Sequence, residues 1–291
     1  MRMWPDCISC ITHMSLKVAD TVLQDNFKMK MFAEKVSQLK SIDFLNQDIT
    51  SPEAIRDIWG VLIQLSGITD PLLETKKRQN DLVLRLYPAA KESVMQSPDP
   101  FASALQFSLS GNALDIMTGQ IKKSPEKIIK KLKNLPLQLK DVQQLKERLR
   151  KAKTLLYIGD NCGEIVFDKL FIEIIKEVYS LDITFITRTF PVLNDVTKED
   201  AMYVAIDKTA RVIENGIPEP LPGTILKKLS NEVKKLVHES DLIIAKGGGN
   251  YDTLTEESVL KGKISFLLQA KCKPYCTIHQ VPLGSLIIFN Y

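Results

Sequence analysis

Asp160, Asn161 and Glu164 stand together in LLYIGDNCGE, and Asn194 and Asp195 close ITFITRTFPVLND. Each segment reads as a buried strand running into an oxygen-rich turn. Carboxylates and amide carbonyls are hard donors, a set that suits magnesium or manganese better than zinc. Asp160 and Asn161 therefore read either as metal ligands or as an Asx turn and helix N-cap after Gly159. Asp195 favours the metal reading, because two carboxylates at adjoining strand ends repel unless a cation lies between them. Its own alternative is again a cap, since Val196-Thr197-Lys198-Glu199-Asp200 resembles a helix start. Arg188, in the same loop, can grip a phosphate through two N–H groups or bridge to a carboxylate.

A third strand end, DLIIAKGGGN, adds Lys246, a glycine run and Asn250. It is no Walker loop, which needs the lysine after the glycines and a Ser or Thr next. A lysine ending an apolar strand beside exposed backbone N–H groups reads as a phosphate contact, with its ammonium expected toward the crevice. Metal ligands and a phosphate contact together are the equipment of phosphoryl chemistry. In the first half of the chain, SGNALD places Asn112 and Asp115 three apart on one helix face, as site residues or as caps. His13, His238 and His279 are scattered and no GxSxG serine accompanies them, which disfavours a serine hydrolase. Cys7 and Cys10 as CxxC, with Cys272 and Cys276 as CxxxC, read either as halves of a zinc site or as reduced thiols of an intracellular protein. Cys162, inside the acidic loop, is a candidate or a bystander.

These residues need a scaffold that brings strand ends together. Up to residue 150 apolar residues recur at helical spacing, as in CITHMSLKVADTVL, in PEAIRDIWGVLIQL with Ser51 as expected N-cap, and in VQQLKERLRKA. Ser66-Gly67, Asp70-Pro71, Ser97-Pro98-Asp99-Pro100 and Ser124-Pro125 break this half into separate helices. From residue 151 short apolar runs alternate with helical segments: TLLYIG, DITFIT, either YVAI or RVIE, DLIIA, ISFLLQA and SLIIF. Alternation of this kind predicts an α/β fold with a mostly parallel sheet covered on both faces. The expected organisation is thus an all-helical domain over 1–150 and a Rossmann-like three-layer α/β/α domain over 151–291. SLIIF is expected at an edge in either direction, after a connection too short for a helix. Ligands of such sheets bind in the crevice beyond the carboxyl ends of the strands, where both acidic loops lie.

The bulk numbers narrow the class further. A net charge of +4 is too small to argue for nucleic acid, and 44% hydrophobic with 25% charged residues is the composition of an ordinary globular protein. No apolar run reaches the length of a spanning helix, and MRMWPDCISC lacks a continuous signal-peptide core, so a cytoplasmic protein without membrane contact is expected.

The chain resembles the metal-dependent damage-control phosphatases along nearly its whole length. PDCISC resembles the cysteine-containing opening of the archaeal and bacterial subgroup, DPLLETKKRQND its acidic-proline and lysine segment, and SGNALD its glycine-asparagine-aspartate motif. IGDNCGEIVFDKL, RTFPVLNDVTKEDA, ENGIPEPLPGT, AKGGGNYDTL and AKCKPY follow in the family's order. The resemblance implies a helical part on a Rossmann-like part and a divalent metal (Mg, Mn, Co or Ni) held by Asp160, Asn161 and Asp195. It further implies that Lys246 holds the substrate phosphate with help from Asn250, and that Asn112 and Asp115 of the helical part face the crevice. Two positions depart from the family's pattern: Gly248 stands where glutamine is usual, and Asp252 where glutamate is usual.

The implied activity is hydrolysis of small phosphate monoesters, sugar phosphates or damaged phosphometabolites. Asp160, Asp195 and Lys246 are then the catalytic candidates, and Arg188 assists Lys246 with the equatorial oxygens. Water attacks, with Asp195 or Glu164 accepting its proton, or Asp160 attacks directly; the first is favoured because a ligand carboxylate has little freedom. Two alternatives remain at this level: a non-catalytic binder of nucleotides or sugar phosphates, and a carboxylate methyltransferase. DNCGE, standing where a methyltransferase needs a glycine-rich loop, argues against the latter.

Overall fold

The computed structural model describes residues 1–43, 48–111 and 125–291. Asn112 and Asp115 lie outside the described residues. Helices α1 (Pro5–Leu23), α2 (Asn26–Ser37), α3 (Ser51–Ser66), α4 (Leu73–Met95), α5 (Pro100–Ser110), α6 (Pro125–Lys133) and α7 (Leu139–Lys151) precede the sheet. The expected breakers act as caps. Asp99 accepts from the Ala102 N–H at 3.0 Å with Pro100 opening α5, and Gly67 ends α3 at φ 72°. Helix α3 starts one residue earlier than expected, with Thr50 rather than Ser51 as N-cap. The reason is Glu53, whose Oε2 accepts from both Thr50 N at 2.9 Å and Thr50 Oγ1 at 2.8 Å and closes a capping box on Thr50.

The second half alternates β1 (Thr154–Ile158), α8 (Glu164–Val178), β2 (Asp182–Thr187), α9 (Lys198–Tyr203), β3 (Arg211–Glu214), α10 (Asn231–Glu239), β4 (Leu242–Lys246), α11 (Gly247–Leu254), β5 (Ile264–Gln269), α12 (Lys273–His279) and β6 (Leu286–Asn290). The sheet order is β3-β2-β1-β4-β5-β6. Strands β1 to β5 pair in parallel, and β6 returns antiparallel to β5. Of the two readings for the third strand, RVIE is the strand. Tyr203 of YVAI is drawn into α9, whose N-terminus is fixed by a box between Thr197 and Asp200. The connection to β6, expected to lack a helix, carries the seven residues of α12, with Gln280 in the left-handed region as its C-cap.

Alternation along the strands feeds two cores. Leu155 and Tyr157 of β1, with Leu242 and Ile244 of β4, join a core that also takes in Leu86, Phe101, Phe107 and Leu145 of the helical half and Phe167 and Phe171 of α8. Leu156, Ile158, Ile243 and Ala245 face the opposite layer, with Val233 of α10, Leu254 of α11 and Tyr275 of α12. Strands buried on both faces must be apolar throughout, which is why these runs stand out in the sequence. Helices α1 to α3 build a third core that reaches the β2 loop at Val192. Among the described residues no helix is long and apolar enough to cross a membrane.

Candidate active site

The chain leaves β1 toward β2 on one side and enters β4 on the other, so the sheet order reverses between β1 and β4. A crevice opens at such a point, beyond the carboxyl ends of the two strands. Gly159 extends the β1 pairing through its N–H to Ile186 O at 3.0 Å, and Asp160 and Asn161 follow. The loop after β2 then folds back onto them. Val196 N donates to Asp160 O at 2.8 Å, Cys162 N to Asn194 O at 2.9 Å, and Asn161 and Asp195 form an isolated antiparallel bridge. Thirty-odd residues of sequence separation are thereby reduced to backbone contact, and Asp160, Asn161 and Asp195 are brought together.

Both carboxylates are buried, Asp160 at 7% and Asp195 at 3% exposure. Burial, and then the neighbouring Asp195, push Asp160 up to about 7. Burial also raises Asp195, against the pull of Arg188. Arg188 supplies the countercharge: its Nε donates to Asp195 Oδ2 at 2.7 Å, and Nη2 stands 4.0 Å from Asp160 Oδ1. Its Nη1 is divided among Gly223 O at 3.0 Å, Asn250 Oδ1 at 3.1 Å and Thr224 Oγ1 at 3.2 Å. Of the two roles open to Arg188, the structure displays the carboxylate bridge, made from a fully buried position. Asn250 is also engaged, donating to Lys246 O at 2.7 Å and Gly159 O at 3.1 Å, so it ties the ends of β1 and β4 to Arg188.

Lys246 is placed differently from expectation. It shares the period-two face of Leu242 and Ile244, so its side chain enters the layer beneath the crevice and is fully buried. Its Nζ contacts Glu164 Oε1 at 2.5 Å, Asp168 Oδ1 at 2.6 Å, and Ser108 O and Oγ at 2.9 Å each. Asp168 Oδ1 also accepts from Ser108 Oγ at 2.6 Å and from Tyr157 Oη at 2.8 Å. Burial lowers the Lys246 pKa, but Asp168 and Glu164 outweigh it and the net shift is upward. Glu164 is pushed up to about 7, by burial against the pull of Lys246. Glu164 Oε2 and Asp168 Oδ2 are buried without a hydrogen-bond partner among the described residues.

The glycine run is the first turn of α11. No side chain caps this turn. Gly247 sits at φ 78°, and a Cβ there would lie 1.9 Å from Asp160 Oδ2, so only glycine lets α11 begin against the carboxylate. Backbone N–H groups at a helix start favour an anion such as phosphate. Lys271 completes the edge from the loop after β5. Its side chain keeps solvent contact, and desolvation lowers its ammonium pKa against the pull of Glu164 and Asp160. Lys271 and Asp168 were missed as site residues in the sequence. The signals were a lysine directly after an apolar strand in AKCKPY, and an acid four residues after Glu164 on the same helix face.

The donor set fits a hard divalent cation on its own chemistry: two buried acids of raised pKa, one amide beside them and a single arginine as countercharge. The Asn161 amide, which donates to Asp160 Oδ2, presents its carbonyl on rotation. Among the described residues no three His, Cys, Asp or Glu side chains form a metal-holding group, and all five cysteines are free. The two ends of the chain nevertheless meet, through Asp6 and Lys273 at 3.8 Å, and burial, with Cys7 and Cys10 nearby, raises the Cys272 thiol to about 11.

Fold and site together define a doubly wound α/β protein with a buried cluster of acids at its topological switch point. The chain belongs to the family described as damage-control phosphatase ARMT1-like domain, whose match spans residues 3–287. It is 32% identical over 291 residues to a damage-control phosphatase of Archaeoglobus fulgidus, covering 99% of this chain and 98% of the relative. A damage-control phosphatase of Pyrococcus horikoshii is 28% identical over 292 residues, covering 99% and 97%. The crystal structure of a DUF89 family protein from Pyrococcus horikoshii superposes with a TM-score of 0.88 at 27% identity, covering 100% of this chain and 99% of the other. Membership of this family supports a phosphatase-type function.

Proposed function

We propose that the chain is a metal-dependent phosphatase that hydrolyses small phosphate monoesters, with sugar phosphates or damaged phosphometabolites as its substrate class. The observation that carries this reading is the pairing of buried Asp160 and Asp195, zipped together by backbone, beside the first turn of α11, which no side chain caps. Asp160, Asn161 and Asp195 hold the metal. A bound divalent cation neutralises phosphoryl charge and acidifies a water. The N–H groups of the α11 start and the ammonium of Lys271 receive the phosphoryl oxygens, so the group is oriented by backbone and one side-chain cation. Asp160 is hemmed in by Asn161, Arg188 and Gly247, which favours a ligand over a nucleophile and leaves attack to water. Glu164 accepts the proton at Oε2, which has no partner among the described residues and whose pKa of about 7 suits a base at neutral pH. Lys246 holds Glu164 in place rather than meeting the phosphate.

The test is phosphate release from an aryl phosphate and a panel of sugar phosphates, with metal stripped and then restored. Wild type is expected to release phosphate only with metal, and Asp160→Asn to lose at least about a thousandfold in rate. Tight metal binding without release from any substrate would overturn hydrolysis in favour of a phosphate-binding protein.

A further inference from the structure

Helix α4 carries three buried polar side chains on one face, Lys76, Gln79 and Asn80 at three-and-four spacing, with exposures of 0%, 2% and 0%. The same face continues as Val83, Leu86 and Ala90, which are simply core. Burying polar groups costs free energy unless each finds a partner. Their partners lie in the two acidic loops and the segments around them. Asn80 Oδ1 accepts from Gly163 N at 2.7 Å, at the turn that follows Asp160 and Asn161. Gln79 Oε1 accepts from Asn194 Nδ2 at 3.3 Å, next to Asp195. Lys76 Nζ lies 2.8 Å from Asp70 Oδ2 and 2.9 Å from Asp200 Oδ2. Asp200 in turn accepts from Thr197 N at 3.0 Å and Thr197 Oγ1 at 2.8 Å, fixing the far end of the second loop. Buried Cys162 lies beside Asp200, Lys76 and Asn80.

We propose that Gln79 and Asn80, braced by Lys76, are positioning residues that hold the Asp160–Asn161 loop and the Asp195 loop in their paired register. This inference rests on the metal reading of those loops. The two loops are already paired through their backbones, and adjacent residues of one helix grip one loop each, so α4 holds that pairing from both sides. Partners that orient metal ligands govern affinity even though they never touch the metal.

The experiment uses the full chain, stripped of metal, titrated with Mn²⁺ in a calorimeter, with the metal-free melting temperature measured beside it. Asn80→Ala is expected to weaken Mn²⁺ binding by about tenfold or more. Asn80→Asp, which keeps an oxygen for the Gly163 N–H, is expected to stay within about threefold of wild type. Val94→Ala, which removes buried bulk from the far end of α4, is expected to lower the melting temperature and leave affinity unchanged. If Asn80→Ala does not fold, Gln79→Ala carries the test, with a loss of several-fold expected. Wild-type affinity in the foldable variant, or equal weakening by Val94→Ala, would overturn the positioning role while the metal reading stands. Absence of Mn²⁺ binding by wild type would overturn the metal reading and this inference with it.

Discussion

Asp160 and Asp195 occupy one buried place with a single arginine between them, and that imbalance makes their protonation measurable. With Asp160 raised from 3.8 to about 7, the folded chain keeps a proton that the unfolded chain has lost over that interval. At this site the fold therefore binds more protons than the unfolded state, and the site's contribution to metal-free stability falls as pH rises from about 4 to about 7. A cation that replaces the proton reverses the trend. Mn²⁺ affinity is expected to rise by up to about tenfold per pH unit below about pH 7 and to level off above it, with Asp160→Asn flattening the slope in calorimetry. Lys246 offers the converse case, a cation between Glu164 and Asp168 with no path to solvent. Lys246→Met leaves two buried carboxylates without a countercharge and is expected to cost about 3–5 kcal/mol in urea unfolding. A raised KM with unchanged stability would instead return Lys246 to the phosphate contact expected from the sequence.

At the scale of elements, the close approach of α11 to the β1 loop depends on a backbone conformation that only glycine adopts readily. Gly247→Ala combines a φ of 78° with a Cβ position 1.9 Å from Asp160 Oδ2. Gly67 has a similar φ of 72° but nothing within 4 Å. Both substitutions are expected to lose about 1–2 kcal/mol of stability from the left-handed backbone, whereas only Gly247→Ala weakens Mn²⁺ binding; equal affinities would detach Asp160 from α11. The strands were legible in the sequence because burial on both faces makes them continuous apolar runs, and the acidic loops because they follow two of them. RVIE and YVAI were not separable by propensity, since the Thr197–Asp200 box that draws Tyr203 into a helix acts from outside the window. The direction of Lys246 was implicit in its parity with Leu242 and Ile244, but which layer covered that face depended on tertiary packing. The partners of Asn80 and Gln79 lie 83 and 115 residues away, beyond any local pattern.

The molecule as a whole does not divide its apolar contacts where its sequence pattern changes. Phe101 packs edge-on against Phe171 with ring centroids 5.2 Å apart, and Phe107 against Phe167 at 5.4 Å, so α5 and α8 share one core across the change from helical to alternating pattern. Tyr87 and Lys91 of α4 both reach Glu173 of α8, at 2.6 and 2.8 Å. Arg148 of α7 grips the far edge of the sheet, donating to Ile264 O at 2.7 Å and Tyr291 O at 3.1 Å. A fragment of residues 1–150 would expose Phe101, Leu105 and Phe107, each worth about 1.5–3 kcal/mol when buried, a large fraction of the 5–15 kcal/mol that ordinarily holds a domain. The fragment is therefore expected to show narrow amide dispersion in a proton–nitrogen NMR spectrum and no cooperative melt, while the full chain gives coincident urea transitions by circular dichroism and tryptophan fluorescence. Trp59 makes the fluorescence informative, since its indole N–H donates to Pro191 O at 3.1 Å and so reports from α3 on the loop that carries Asp195. A well-dispersed fragment spectrum would mean that the helical half folds alone, and that the shared core adds docking energy to a domain already formed.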